Sequence, residues 1–118
     1  MARVDLSENW TASRSESAAR GELNRFLREW RMWVVGEQRG EVHARQGWWP
    51  ARILGTGLSP AGWLPALAVV RLESGDGGVE IRATIGEASP ANALSRRAED
   101  KYRDYFLRWM AALKARLQ

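Results

Sequence analysis

The chain has 118 residues, 45% apolar and 27% charged, with no cysteine and a formal net charge of +4; a chain of this size buries one core and has no room for two. The missing cysteines exclude disulfides, thiolate metal sites and thiol nucleophiles. The longest apolar run, Trp63–Val70, falls far short of the ~20 residues of a membrane-spanning helix, and the polar N-terminus holds no apolar core of a secretory signal, so the expectation is a cytoplasmic protein.

Residues 1–16 are polar and serine-flavoured, without a convincing period, and read as a flexible N-terminal arm in which Leu6 and Trp10 are the large apolar residues. From Ser17 the pattern becomes helical. Leu23, Phe26, Leu27, Trp30, Trp33 and Val34 share one face at a 3.6-residue period, with Ser17 as the expected N-cap and Gly36 as the stop. Arg20, Arg25, Arg28 and Arg31 lie off that face.

The middle reads as strands. Glu41–Arg45 is a short candidate, Gln46–Gly47 a tight turn, and Trp48–Leu54 a second strand. Neighbouring strand residues point to opposite faces, so Trp48 and Trp49 cannot both enter one core. A Gly/Pro loop follows over 55–65. Ala66–Leu72 is apolar enough for a central strand, and the Glu73–Gly78 run is the clearest turn, its Asp-Gly-Gly supplying positive φ. Val79–Ile85 then alternates cleanly.

Ser89-Pro90 is a favourable helix start. A stripe from Leu94 through Tyr102, Tyr105, Phe106, Trp109, Met110 and Leu113 to Leu117 predicts a helix over 90–117, about 42 Å long at 1.5 Å per residue. That outruns a small sheet, so its last turns, with Trp109, Leu113 and Leu117, are expected to overhang and want a partner. The fold class is α+β: an antiparallel sheet of three to four strands flanked by an N-terminal helix and a long C-terminal helix, in α-β-β-β(-β)-α order. One domain covers 17–118.

Little points to catalysis. His43 is the one histidine. It follows Glu41 by two positions, so the pair shares a strand face, but no nucleophile accompanies them. The carboxylates show no metal-ligand spacing, and no glycine run has the form of a phosphate loop. No catalytic residue, metal ligand or cofactor is expected.

The remaining signal is basic and aromatic: 16 of the 18 cationic residues are arginine, and there are seven tryptophans. A GC-rich genome would inflate both residue types without any function. Arginine also binds phosphate in a bidentate fork and stacks on flat rings. The first reading is a small non-enzymatic nucleic-acid-binding protein. Arg96, Arg97, Lys101 and Arg103 would contact phosphates, Arg28 and Arg31 would extend the patch, and Trp48 or Trp49 would stack beside Arg45 and Arg52. This requires both helices to gather their guanidinium groups on one side. The alternative is a protein-interaction module (a homodimer, an assembly subunit or an inhibitor of a larger complex) using surplus tryptophans and the long last helix. Neither reading involves a membrane.

Gly47–Leu54, "GWWPARIL", resembles the short strand motif of PWWP and Tudor-like chromatin readers, with Gly47 where that motif has proline. The element order is similar to that of double-stranded-RNA-binding domains, with Arg96-Arg97 nearest to their lysine pair. Likeness at this level implies a fold and carries no activity.

Overall fold

The structure, a computed structural model, describes residues 4–47, 65–88 and 96–118. The expected strand Trp48–Leu54, nearly all of the 55–65 loop and the Ser89-Pro90 helix start lie outside the described residues. Seven elements follow one another: β1 (Asp5–Ala12), α1 (Glu16–Glu29), β2 (Trp33–Gln38), β3 (Glu41–Gln46), β4 (Ala66–Gly75), β5 (Gly78–Glu87) and α2 (Arg96–Arg116). The strands form one antiparallel sheet in the order β1-β5-β4-β3-β2. The α+β class and both flanking helices are as the sequence implied. The sheet has five strands where three or four were expected.

Two strands, β1 and β2, form where no strand was expected, and β1 comes from residues read as an arm. Leu6, Trp10 and Ala12 lie opposite the core residues Ile85, Ile81 and Val79 of β5. Glu8 sits among them on the same face, and a carboxylate there breaks the apolar alternation that marks a half-buried strand. Its partner is remote in sequence: Lys114 Nζ on α2 lies 2.9 Å from Glu8 Oε1 and 5.9 Å from the Trp10 ring centroid. Trp10 Nε1 also donates to the Leu117 carbonyl at 3.0 Å, which ties β1 to the end of α2.

The cap of α1 is Ser15, two residues before the expected Ser17, and its Oγ accepts from the Ala18 amide at 3.1 Å. It also stops well before Gly36. Arg31 takes φ 58°, its N–H bonds the Arg28 carbonyl, and the Met32 N–H bonds the Leu27 carbonyl. These two bonds form a Schellman motif, with arginine in the left-handed position that glycine usually fills. Trp33 and Val34 therefore leave the helix and open β2, although their spacing continued its stripe.

Both faces of the turns follow from backbone sterics. β2 and β3 join through Arg39-Gly40, each at positive φ, as a two-residue reversal requires. In the β4–β5 hairpin the positive φ falls on Gly78, not Gly77. A Cβ on Gly78 would stand 2.1 Å from the Ala12 carbonyl oxygen, so the end of β1 fits only against glycine.

One face of the sheet carries the core: Val42 and Ala44 of β3, Ala66, Ala68, Val70 and Leu72 of β4, and Val79, Ile81, Ala83 and Ile85 of β5 are buried. Small residues in the middle strands leave room for large rings from the helices. Phe26 packs edge-on against Trp109 at 5.6 Å, and Trp30 edge-on against Tyr105 at 5.5 Å. Trp109, Leu113 and Leu117 are fully buried. The expected overhang of α2 does not exist: its described length of 21 residues spans about 31 Å, and β1 covers its final turns.

Candidate functional site

The two margins of the sheet differ in chemistry. A strand at the edge of a sheet offers unpaired N–H and C=O groups to any approaching chain, and edges are usually blunted with polar or charged residues. β1 follows that rule, with Asp5, Ser7, Asn9 and Thr11 on its open face. β2 does not. All six of its residues are exposed, and Trp33 (50%), Val34 (44%) and Val35 (51%) are three of the four large apolar side chains exposed among the described residues.

Their exposure follows from the early end of α1. By register Val34 lies opposite the buried Ala44 and shares the helix-covered face, while Trp33 lies opposite Arg45 on the open face. A bulge at Val35 intervenes before Gly36, which lies opposite His43. Since α1 ends at Glu29 and turns out through Arg31, no described element roofs this margin. A groove of about 430 Å³ remains between α1 and β2, lined by Leu27, Arg28, Met32, Trp33, Val34 and Glu37 among others.

Arg28, Arg31 and Arg45 are exposed around this margin, and no described carboxylate pairs with any of them. Other helix cations are taken up singly. Arg20 meets Glu16 and Glu37, Arg25 meets Glu22, Arg108 meets Asp104, and Arg116 bridges Glu22 (3.1 Å) and Glu29 (2.6 Å). The Arg116 hydrogen bond holds the Glu29 carboxyl below its ordinary range, and the same contact raises Arg116.

Among the described side chains, those of Arg28 and Arg31 do not converge with that of Arg103. Arg103 is exposed, lies 3.9 Å from Asp100, and lines a smaller groove of about 260 Å³ with Val4, Leu6, Phe106 and Leu107 beside β1. Arg28, Arg31 and Arg45 stand at the β2 margin. The two groups occupy opposite edges of a five-stranded sheet, about 19 Å apart at ~4.8 Å per strand. Lys101 is half-buried on α2. Arg96 and Arg97 open α2, and their side chains lie outside the described residues, as do Trp48, Trp49 and Arg52.

The residues that the sequence reading missed are Trp33 and Val34, which it placed on the core face of a helix, and Val35, which it did not single out. A signal was present: an aromatic and two β-branched residues, then Arg-Gly, then the strand Glu41–Gln46. That is a hairpin pattern.

The Glu41–His43 pair forms on the open face, with His43 Nε2 3.1 Å from Glu41 Oε1 and Arg71 3.9 Å from the other carboxylate oxygen. The cross-strand neighbours of His43 are Gly36 and Val69, neither of them a nucleophile. Among the described residues no His, Asp and Glu cluster could hold a metal ion, and no helix is long and apolar enough to cross a membrane.

Two buried tyrosines hold the end of β3 and the start of β4. Tyr105 donates to Gln46 Oε1 at 2.6 Å and Tyr102 donates to the Pro65 carbonyl at 2.8 Å. Gly47, at φ 131°, lies so close to Pro65 that a Cβ would stand 2.7 Å from the Pro65 Cα. The chain thus leaves β3 and re-enters β4 at one place.

No family model matches this chain, and no curated protein is detectably similar to it. Among solved structures it is similar to protein MLL2253 from Mesorhizobium loti, with a TM-score of 0.60 over 97% of this chain and 96% of that one, at 12% identity. At that identity the likeness establishes the fold.

Proposed function

We propose that this chain is a non-enzymatic protein-interaction module that docks its partner along β2 by strand addition. The observation that supports this reading is an outermost strand with every residue exposed and a contiguous Trp-Val-Val patch, opposite an edge blunted in the ordinary way. Added strands take affinity from main-chain hydrogen bonds and specificity from alternate side chains. Tryptophan is a frequent anchor of such interfaces.

A nucleic-acid ligand is the second reading. It is favoured by Arg28, Arg31 and Arg45 around the half-exposed Trp33 indole, since bases stack on aromatic rings at roughly 1–3 kcal/mol each. It no longer draws on the arginines of α2 that the structure pairs with carboxylates.

Site-specific photocrosslinking in cells separates the two. A benzophenone side chain replaces Val35 in one version of the chain and Asn9, on β1, in the other. Adducts at Val35 that resist nuclease and yield to protease, with none at Asn9, support the docking edge. Nuclease-sensitive adducts favour nucleic acid. Equal labelling at both positions, or none at Val35, overturns the proposal.

A further inference from the structure

We propose, resting on the reading of β2 as a docking edge, that its occupant is a second copy of this chain: two β2 strands join antiparallel about a twofold axis and merge two sheets into one. The first argument is the charge along the edge. At the Trp33 end stand Arg28, Arg31 and Arg45, without described acid partners. At the turn end Glu16 and Glu37 pair with Arg20 and Glu41 pairs with Arg71, while Arg39 is exposed in the turn, so these groups carry no net positive charge. Antiparallel pairing sets each cationic end against the other copy's Glu37. Parallel pairing would set the two cationic ends together.

The second argument is shape. A twofold axis between Val34 and Val35 places the Trp33 of one copy across from Gly36 of the other. Both residues belong to the open face of the sheet, and no described residue comes within 4 Å of where a Cβ on Gly36 would stand. A ring laid over a bare edge glycine is a favourable cross-strand pair. The same axis sets valine against valine at the centre, so one patch is buried twice, as an isologous interface requires. Arg31 then lies beside Glu37 and Gln38 of the second copy.

Sedimentation equilibrium on the full chain, from low micromolar to millimolar, tests this. A monomer–dimer equilibrium that weakens with added salt is expected. Val35→Lys, which sets like charges beside the axis, weakens dimerisation by about tenfold or more. Arg31→Glu and Glu37→Arg each weaken it about two- to tenfold, since each removes two symmetry-related exposed pairs, and the double exchange restores it. All three positions are exposed, so unchanged thermal unfolding serves as the control for folding. A chain that stays monomeric, a dimer indifferent to these substitutions, or a double exchange no better than the single ones overturns the second-copy assignment. If the chain is monomeric while Val35 still crosslinks to a different protein, the docking edge stands and the self-association falls. If Val35 gives no protein adduct, the docking reading fails with it.

Discussion

Gly78→Ala measures how firmly β1 belongs to this fold. Gly78 has φ 135°, outside the range of L side chains, and enforcing it on alanine costs about 1–3 kcal/mol. The new Cβ would also lie 2.1 Å from the Ala12 carbonyl oxygen. Backbone must move to relieve that contact, and the last pair of the β1–β5 ladder, Ala12 with Val79, is what gives way, at about 1 kcal/mol for a lost hydrogen bond. The sum is about 3 kcal/mol, a large share of the roughly 5–15 kcal/mol that holds such a domain. It corresponds to a fall in Tm of about 12 °C. Gly77→Ala is the matched control, because its Cβ would meet open space and its φ is not positive, so it should stay within about 0.5 kcal/mol. Urea and thermal unfolding followed by far-ultraviolet circular dichroism give both numbers. Equal effects from the two substitutions would refute the placement of β1 against this hairpin.

Two titrations check the rest of the packing. Tyr102 and Tyr105 are the chain's only tyrosines. Burial raises both phenols, with Glu87 raising Tyr102 further, while the Gln46 hydrogen bond and Arg108 offset part of the rise at Tyr105. A raised folded pKa stabilises the fold fully below the unfolded phenol value of about 10 and is lost as pH climbs beyond it. Ultraviolet titration should show little phenolate until the fold gives way, and two independent ionisations near 10 would contradict the buried latch. Glu29 is the opposite case, lowered by Arg116. Its contribution is present above the ordinary carboxylate value and is lost as pH falls through the depressed one. Arg116→Gln should return the Glu29 titration, read by nuclear magnetic resonance, to the ordinary range, and an unchanged midpoint would deny the ion pair.

Elements whose local pattern agreed with their environment were legible before any coordinates. β5 alternates and β4 is apolar, so both were placed to within a few residues, and the three- and four-residue repeat of α2 placed its C-terminal end, its expected start lying outside the described residues. The misplacements share one cause. Glu8 interrupts the inward face of β1, and only a lysine 106 residues away makes a carboxylate tolerable there. Arg31 ends α1 in a conformation that arginine rarely adopts, so no glycine announced the stop. The 3.6-residue stripe then ran on through Trp33 and Val34 by coincidence of spacing.

That coincidence decides the candidate site as well. Trp33 and Val34 fitted both the stripe of a helix and the hairpin they form, and Arg28, Arg31 and Arg45 looked like any solvated cations. Composition, charge and periodicity by themselves determined an α+β domain in which a run of antiparallel strands lies between two helices in chain order. Which strand lies outermost, which cations find carboxylates, and which apolar residues stay uncovered were decided by tertiary structure alone, because strand order and ion pairing join residues far apart in the chain and local pattern carries no trace of them.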